Sequence, residues 1–348
     1  MPAPCPEAPP DYFLPVLHCI AGISAPINIL GLYLVLYKSP AISKYKYCIF
    51  YVQTASFLTE IQMSVVAPGY YFFPMLAGFH TNQYVAKVIK NNHVLMTIWL
   101  FFLANELPAI VWCFVYRHNA AENMNRDSQL STQHSRIFKK FALVACQLFP
   151  FIVATCFYNS DITREEAKEY LTNNYPQCLY WLDSSVFALY DWRTNRMVAV
   201  SGIGALIYVI IFAGYGFSLG IRTMLLLHQL RHMMSQATYR MHRTALIGLT
   251  LQVILPSFLL ILPLFVCFYV IALDKIELQG VATNSTVLIC FHSVSATIVM
   301  IAANPRYRKI VGGWFCVVCK RKKPSTSSVA IEPSSTNFRR IVHSTSTR

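Results

Sequence analysis

The chain has 348 residues, 55% hydrophobic and 13% charged, with a formal net charge of +14. A charged share about half that of an ordinary soluble domain argues against a soluble fold. The basic residues flank apolar runs rather than forming a module of their own, which argues against nucleic-acid binding.

A bilayer core about 30 Å thick takes roughly 20 apolar residues of helix. Seven stretches qualify, near residues 12–37, 47–74, 92–116, 138–158, 197–221, 245–272 and 283–303. They predict an all-α membrane protein, a bundle of seven transmembrane helices over 12–303. A short segment, 1–11, precedes it and a tail, 304–348, follows. The longest gap holds fewer than forty residues, so no second soluble domain fits. The first stretch is too long for a signal-peptide core and has no basic leader, so it is expected to stay as the first span.

Lysine and arginine concentrate on the cytoplasmic side of short loops. Most of the 29 basic residues fall in alternate gaps: after the first, third and fifth spans, and in the tail. This predicts an outside N-terminus and an inside C-terminus. The fourth gap fits that orientation, being mildly acidic through Asp161, Glu165, Glu166, Glu169, Asp183 and Asp191. The excess positive charge then faces anionic lipid.

The first span contains Pro15, Pro26 and Asn28, and Pro26 frees a backbone carbonyl one turn earlier. The second and third spans carry Glu60 and Glu106, about 20 and 15 Å from the nearer span ends. A mid-span carboxyl costs a few kcal/mol and must face the bundle interior or a wet cavity. Two readings stay open. One is a buried polar switch, or a proton- or cation-linked site; the other is a neutral carboxyl hydrogen-bonded to a neighbour such as Asn28 or Asn105. No Lys or Arg lies mid-span, so a simple buried ion pair is not expected.

His18 and His292, in the first and seventh spans, read as interior hydrogen-bonding groups. They are too few and too dispersed for a metal set, so neither metal, cofactor nor catalytic residue is assigned and no enzyme is expected. The run Tyr70-Tyr71-Phe72-Phe73 reads as an interfacial belt or as the lining of a ligand mouth. Seven of the eleven cysteines fall within spans, where a thiol packs as a small apolar group. Cys5 and Cys178 lie outside and are predicted to pair, tying the N-terminal segment to the fourth gap. Cys316 and Cys319 sit beside Trp314 and Phe315 and before Lys320-Arg321-Lys322-Lys323, which reads as a palmitoylated, lipid-facing segment. Beyond about 323 the Ser/Thr-rich tail is expected to be disordered.

Seven helices with an outside N-terminus suggest a G-protein-coupled receptor, although topology alone does not establish one. The rhodopsin-like marks are partial. The third span ends in Tyr116-Arg117-His118, without an acid before the arginine, and the seventh in Asn304-Pro305-Arg306-Tyr307. These departures resemble the nematode chemoreceptors of the Str superfamily. Four stretches carry the resemblance: Cys5-Pro6 with Leu17-His18 and Pro26-Ile27-Asn28; Glu60 with Pro68 and Phe72-Phe73-Pro74; Arg240-Met241-His242-Arg243 with Gln252, Pro256 and Pro263; and Pro305-Arg306-Tyr307-Arg308. Together they are most similar to serpentine receptor class I, with class H the near rival.

The resemblance implies a sensory receptor in the plasma membrane of chemosensory cilia, acting alone or as a homo- or heterodimer. It would bind a small environmental molecule and engage a heterotrimeric G protein. Its ligand-contacting residues are not identified by the motifs. Pro256 and Pro263 would let the sixth helix bend, and Arg117, Arg240, Arg243, Tyr307 and Arg308 would face the G protein. Two other classes compete. A ligand-gated cation channel of the insect odorant type would have the opposite orientation. A secondary transporter would use Glu60 and Glu106 as ion carriers, but the internal repeat common in transporters is not visible.

Overall fold

The computed structural model describes residues 5–39, 44–89, 91–124 and 132–321. The predicted disorder beyond 323 lies outside those residues. The chain divides into two compact units, Met1–Arg308 and Lys309–Arg348.

Helix α1, Phe13–Tyr33, continues through a wider turn to Lys38, and α2, Tyr45–Ile61, continues likewise to Val66. A hairpin of β1, Gly69–Tyr71, and β2, Ala77–His80, leads through short α3, Gln83–Val88, into α4, Asn92–Glu122. Next come α5, Thr132–Tyr158, α6, Arg164–Asn174, a 3-10 turn over Pro176–Asp183, and β3, Phe187–Leu189. Helices α7, Met197–Gln229, and α8, Gln236–Ala272, are followed by α9, Gln279–Ser285, which runs through a tighter turn into α10, Phe291–Ala303. Most of α11, Pro305–Arg321, belongs to the second unit.

Helix starts follow local chemistry. The Asn91 side chain accepts from the His93 N–H and Ser235 from Thr238, while Thr163 and Glu166 form a capping box. Because Glu166 accepts the Thr163 backbone and side-chain donors, its carboxyl is held below the usual carboxylate range.

Helices α1, α2, α4, α5, α7, α8 and α9–α10 trace the seven spans. Six are long and apolar enough to cross a bilayer by composition alone; α2 is not among them. Its polar side chains Gln53, Ser56, Thr59, Glu60, Gln62 and Ser64 are all buried, as it packs against α1, α4 and α10. Helix α7 shows the opposite pattern, with Ile203, Leu206, Ile210 and Phe217 turned outward. In lipid the outer surface is apolar and polar groups collect inside. Helices α1 and α10 approach closely at Gly31, where a Cβ would sit 2.6 Å from the Thr297 methyl carbon.

The second span was expected to run to residue 74, but its helix ends at Val66. Pro68 cannot continue the ladder, and Gly69 opens a strand in its place. Strands β1, β2 and β3 form an antiparallel sheet in that order, with Tyr70 opposite Phe79 and Phe79 opposite Phe187. At Gly78 a Cβ would lie 2.6 Å from the Tyr70 carbonyl, so only glycine allows this spacing. The aromatic run is therefore part of a cap instead of a lipid-facing belt. Tyr70 and Phe72 are buried with Phe79 and Trp181, the last two stacked at 4.4 Å. This cluster is continuous with Phe13, Leu17, Met63 and Ile289 at the helix ends. Cys5 and Cys178 are disulfide-bonded, with Cα atoms 5.7 Å apart, and Tyr180 donates to the Cys5 carbonyl. The fourth gap is thus ordered as α6, a turn and β3.

His18 does not join the interior. It is exposed on the outward face of α1, because Leu17 and Ile20 turn inward at their places in the helical repeat.

His80 closes β2 at 2% exposure, and neither ring nitrogen has a hydrogen-bond partner among the described residues. Burial pushes its pKa below the ordinary value near 6.5. Below about pH 6.5 the unfolded chain binds the proton more readily than the folded one, so stability is full above that pH and falls below it. The thermal midpoint should therefore drop between pH 7 and pH 5, and His80→Phe should flatten the decline. Equal slopes for the two proteins would exclude His80 as its cause.

Candidate functional site

Ser24 and Asn28 occupy successive turns of one face of α1, and Gln53, Ser56 and Glu60 share a face of α2. The α1 face meets α2 and α10, and the α2 face meets α10, which supplies His292 and Thr297, and α4, which supplies Glu106. All eight side chains are buried, and Glu60 is 1% exposed.

The Glu60 carboxylate accepts from Ser24 Oγ and, at 3.0 Å, from Asn28 Nδ2. Thr297 Oγ1 lies 2.5 Å from Asn28 Oδ1 and 2.6 Å from Gln53 Oε1. One hydroxyl proton cannot serve both oxygens, and Gln53 Nε2 has no partner. Turning the Gln53 amide over satisfies all three groups: its nitrogen donates to Thr297, whose hydroxyl donates to Asn28.

Glu106 forms the second half. Its Oε2 accepts from Ser56 at 3.2 Å, and its Oε1 lies 2.9 Å from His292 Nε2. His292 Nδ1 contacts the Ile289 carbonyl, an acceptor only, so Nδ1 carries a proton. One further proton then lies between Nε2 and Glu106, as a neutral pair or an ion pair, and the net charge of the pair is zero either way. Glu60 instead accepts from neutral donors and makes no ion pair among the described residues. Among the described residues no three His, Cys, Asp or Glu side chains form a metal-binding group.

Asn28, Glu60 and Glu106 are thus brought into one polar centre, but Asn105 is not. It accepts from Tyr51 of α2 at 2.9 Å and donates to the Phe101 carbonyl of its own helix. One position from Glu106 along a helix is a rotation of about 100°, which carries the side chain out of the centre. Pro256 and Pro263 lie two turns apart on the buried face of α8, where they remove the N–H partners of the Gln252 and Leu259 carbonyls. Gln53, Ser56, Ser24 and Thr297 were not singled out from sequence. The helical repeat of polar residues at 53, 56 and 60 was the available signal.

The opposite end of the bundle from the cap carries a second polar cluster. The Arg117 guanidinium lies over the Tyr45 ring at 3.7 Å, and its Nε has no hydrogen-bond partner among the described residues. Glu122 accepts from Lys139 at 2.7 Å and lies 3.1 Å from His118 Nε2, while His118 Nδ1 lies 3.0 Å from the Thr223 hydroxyl. Helices α4, α5 and α7 are joined there by residues the sequence reading did not pick out; Lys139, counted as a loop charge, is buried. Arg240, Arg243 and Arg308 are exposed. Tyr307, expected to face a partner, is instead 2% exposed, its hydroxyl 2.5 Å from Ser39 Oγ. It closes the end of α1 against the start of α11. Cys316 and Cys319 lie on α11, and their side chains are outside the described residues.

Removing one partner of a buried pair strands the other, at a cost of about 3 kcal/mol or more. His292→Ala should therefore lower the thermal midpoint of the detergent-solubilised protein. The double variant Glu106→Ala/His292→Ala should recover part of the loss, since neither group is then stranded. Additive losses in the double variant would show that the two side chains are not coupled.

A family model for serpentine-type seven-transmembrane G-protein-coupled chemoreceptors, Sri, matches residues 3–311. A search of curated proteins finds no match. The family match covers the whole bundle, the cap and both polar clusters, and it supports the class I resemblance drawn from the motifs. The chain belongs to the Sri family of serpentine seven-transmembrane chemoreceptors, which are multi-pass membrane proteins of the G-protein-coupled-receptor type.

Proposed function

We propose that this receptor sits in the plasma membrane of sensory cilia with its N-terminus outside, detects a small environmental molecule, and passes the signal to a heterotrimeric G protein at its basic end. The observation that carries this reading is the opposition of the two ends. The Cys5–Cys178 disulfide belongs to an oxidising compartment, and Arg117, Arg240, Arg243 and Arg308 lie at the other end, where positive charge favours the cytoplasm.

The polar centre is the element a ligand would bias. Two packings of α1, α2, α4 and α10 around Glu60, Glu106 and His292 would differ in which hydrogen bonds they satisfy. A ligand shifts that equilibrium only by binding one packing more tightly. Helix α8, interrupted at Pro256 and Pro263, has two points at which its basic end can swing. Arg117 leaves Tyr45 and meets the G protein, and palmitoyl groups on Cys316 and Cys319 hold α11 at the membrane. The channel and transporter readings have no observation in their favour, and the receptor has no catalytic role in this scheme.

Tagging both termini tests the orientation: on intact cells an antibody should reach the N-terminal tag and not the C-terminal one. In cells that pass this check, Arg117→Ala should reduce agonist-driven G-protein activation by about tenfold to a hundredfold at unchanged surface level, the loss of one charge-assisted contact of roughly 1.5–3 kcal/mol. Full activation at normal expression would remove Arg117 from the coupling site. A reversed tag pattern would sink the orientation and with it the receptor scheme.

A further inference from the structure

The seam between α2 and α4 is held at two levels. Near the inner end the Tyr45 and Tyr116 rings lie 5.6 Å apart, with the Arg117 guanidinium over Tyr45. In the polar centre Ser56 donates to Glu106 at 3.2 Å. The helices run antiparallel, so each step along one is matched by a step back along the other. Three residues after Tyr45 stands Cys48, and three before Tyr116 stands Cys113. These two cysteines therefore face each other across the seam, in one buried cluster, with their thiols in hydrogen-bonding contact. Cys48 is 2% exposed and Cys113 fully buried.

Other buried thiols are turned to other groups: Cys146 to the Tyr208 hydroxyl at 3.1 Å and Cys267 to the Ala282 carbonyl. The facing pair lies one helical turn, about 5 Å, inside the Tyr45–Arg117 stack. In the proposed orientation that end meets the cytosol. Thiols are kept reduced there, and a disulfide forms only as a transient, oxidant-driven state. Tyr45 and Arg117 stand between the pair and the inner end of the bundle. Arg117 is the side chain that turns away in the proposed scheme, so opening of the stack admits a molecule as small as hydrogen peroxide.

We propose that Cys48 and Cys113 form a redox site, which hydrogen peroxide converts to a disulfide that clamps α2 to α4. One thiol attacks a peroxide oxygen and breaks the O–O bond, becoming a sulfenic acid as one water leaves. The second thiol attacks that sulfur, forms the S–S bond and releases another water. Two sulfurs are oxidised, both peroxide oxygens are reduced to water, and the two thiol protons leave with them. A thiol reductant reverses the step by exchange, its own sulfurs ending as a disulfide. The bridge lies between the Arg117 stack and the Ser56–Glu106 contact. A clamp at that level stops α2 from shifting against α4, the movement on which repacking of the polar centre depends. The inference rests on the proposed orientation and switch. Its test reads the bridge itself, so failure would leave the coupling scheme standing, and a reversed tag pattern would leave the bridge chemistry standing.

The test uses membranes holding the full-length receptor, treated with hydrogen peroxide, blocked with N-ethylmaleimide, digested and mapped by peptide mass. A peptide pair joined through Cys48 and Cys113 should appear on treatment and vanish with dithiothreitol. In untreated membranes both residues should be recovered as maleimide adducts. The thermal midpoint of the purified receptor should rise by a few degrees on oxidation, because the bridge closes a long loop. Cys48→Ala and Cys113→Ala should each abolish the joined peptide and that rise. The wild-type map decides the matter even where a variant fails to fold. Recovery of both residues as maleimide adducts after peroxide would overturn the proposal. Conversion of either thiol to a sulfinic or sulfonic acid without a bridge would overturn it too, as would a stability gain that survives both variants.

Discussion

A buried carboxyl, Glu60, lies at the meeting point of α1, α2 and α10, and much of the bundle is arranged to keep it satisfied. Placing such a group mid-membrane costs a few kcal/mol before any partner is found. Its hydrogen-bond donors, Ser24 and Asn28, both come from α1, and Thr297 of α10 ties Asn28 back to Gln53 of α2. None of these helices can rotate or slide far without stranding a buried polar atom. Lipid offers little hydrophobic drive for helix association, so hydrogen bonds and close packing have to set the register. The approach of α1 to α10 at Gly31 places Thr297 where both needs meet.

The same constraint explains why α2 is the least membrane-like helix by composition. Its polar face would be intolerable against acyl chains, and it is surrounded by α1, α4 and α10. Above it the chain leaves the helical regime. The cap has to seal the top of a polar centre, and a hairpin with alternating buried aromatics does so in few residues. The disulfide from Cys5 to Cys178 fixes the segment before α1 onto that seal, so movement of α1 and movement of the cap are mechanically linked.

The legible part of the structure was what a period or a charge count can carry. Apolar length located the seven helices, and the depth of Glu60 and Glu106 placed both carboxyls inside. Partner choice was less accessible. Asn28 and Asn105 were equivalent candidates on a one-dimensional reading, and the 100° step between neighbouring helix positions separates Asn105 from the centre. Tyr70-Tyr71-Phe72-Phe73 read as the end of a helix because apolar content hides the hairpin, although Pro68, Gly69 and Pro74 were breakers in plain view. Tyr307 looked like a partner contact because motifs record identity and not direction; its burial depends on the path of the chain at Ser39. Groups that act across long sequence gaps, such as Lys139 with Glu122, leave no local trace at all.

The end opposite the cap shows what replaces the acid missing before Arg117. A ring on another helix offers the guanidinium a whole face. Tyr45 provides it, and the stack ties α4 to α2. The acid is found five residues later instead, at Glu122, where it is matched by Lys139 and by His118. The two functions of an acid–arginine pair are thereby divided. A cation–π contact, which needs no deprotonated group and loses little on separation, restrains the arginine. A buried lysine–carboxylate contact, costly to break because either partner is stranded, holds α4 to α5. In the proposed scheme the weaker of the two restrains Arg117, the side chain that moves, and the stronger holds α4 and α5 together. Arg117 gives up only this stack when it turns to the G protein in that scheme, so the cost at this end is small and most of the differential affinity has to come from the polar centre around Glu60.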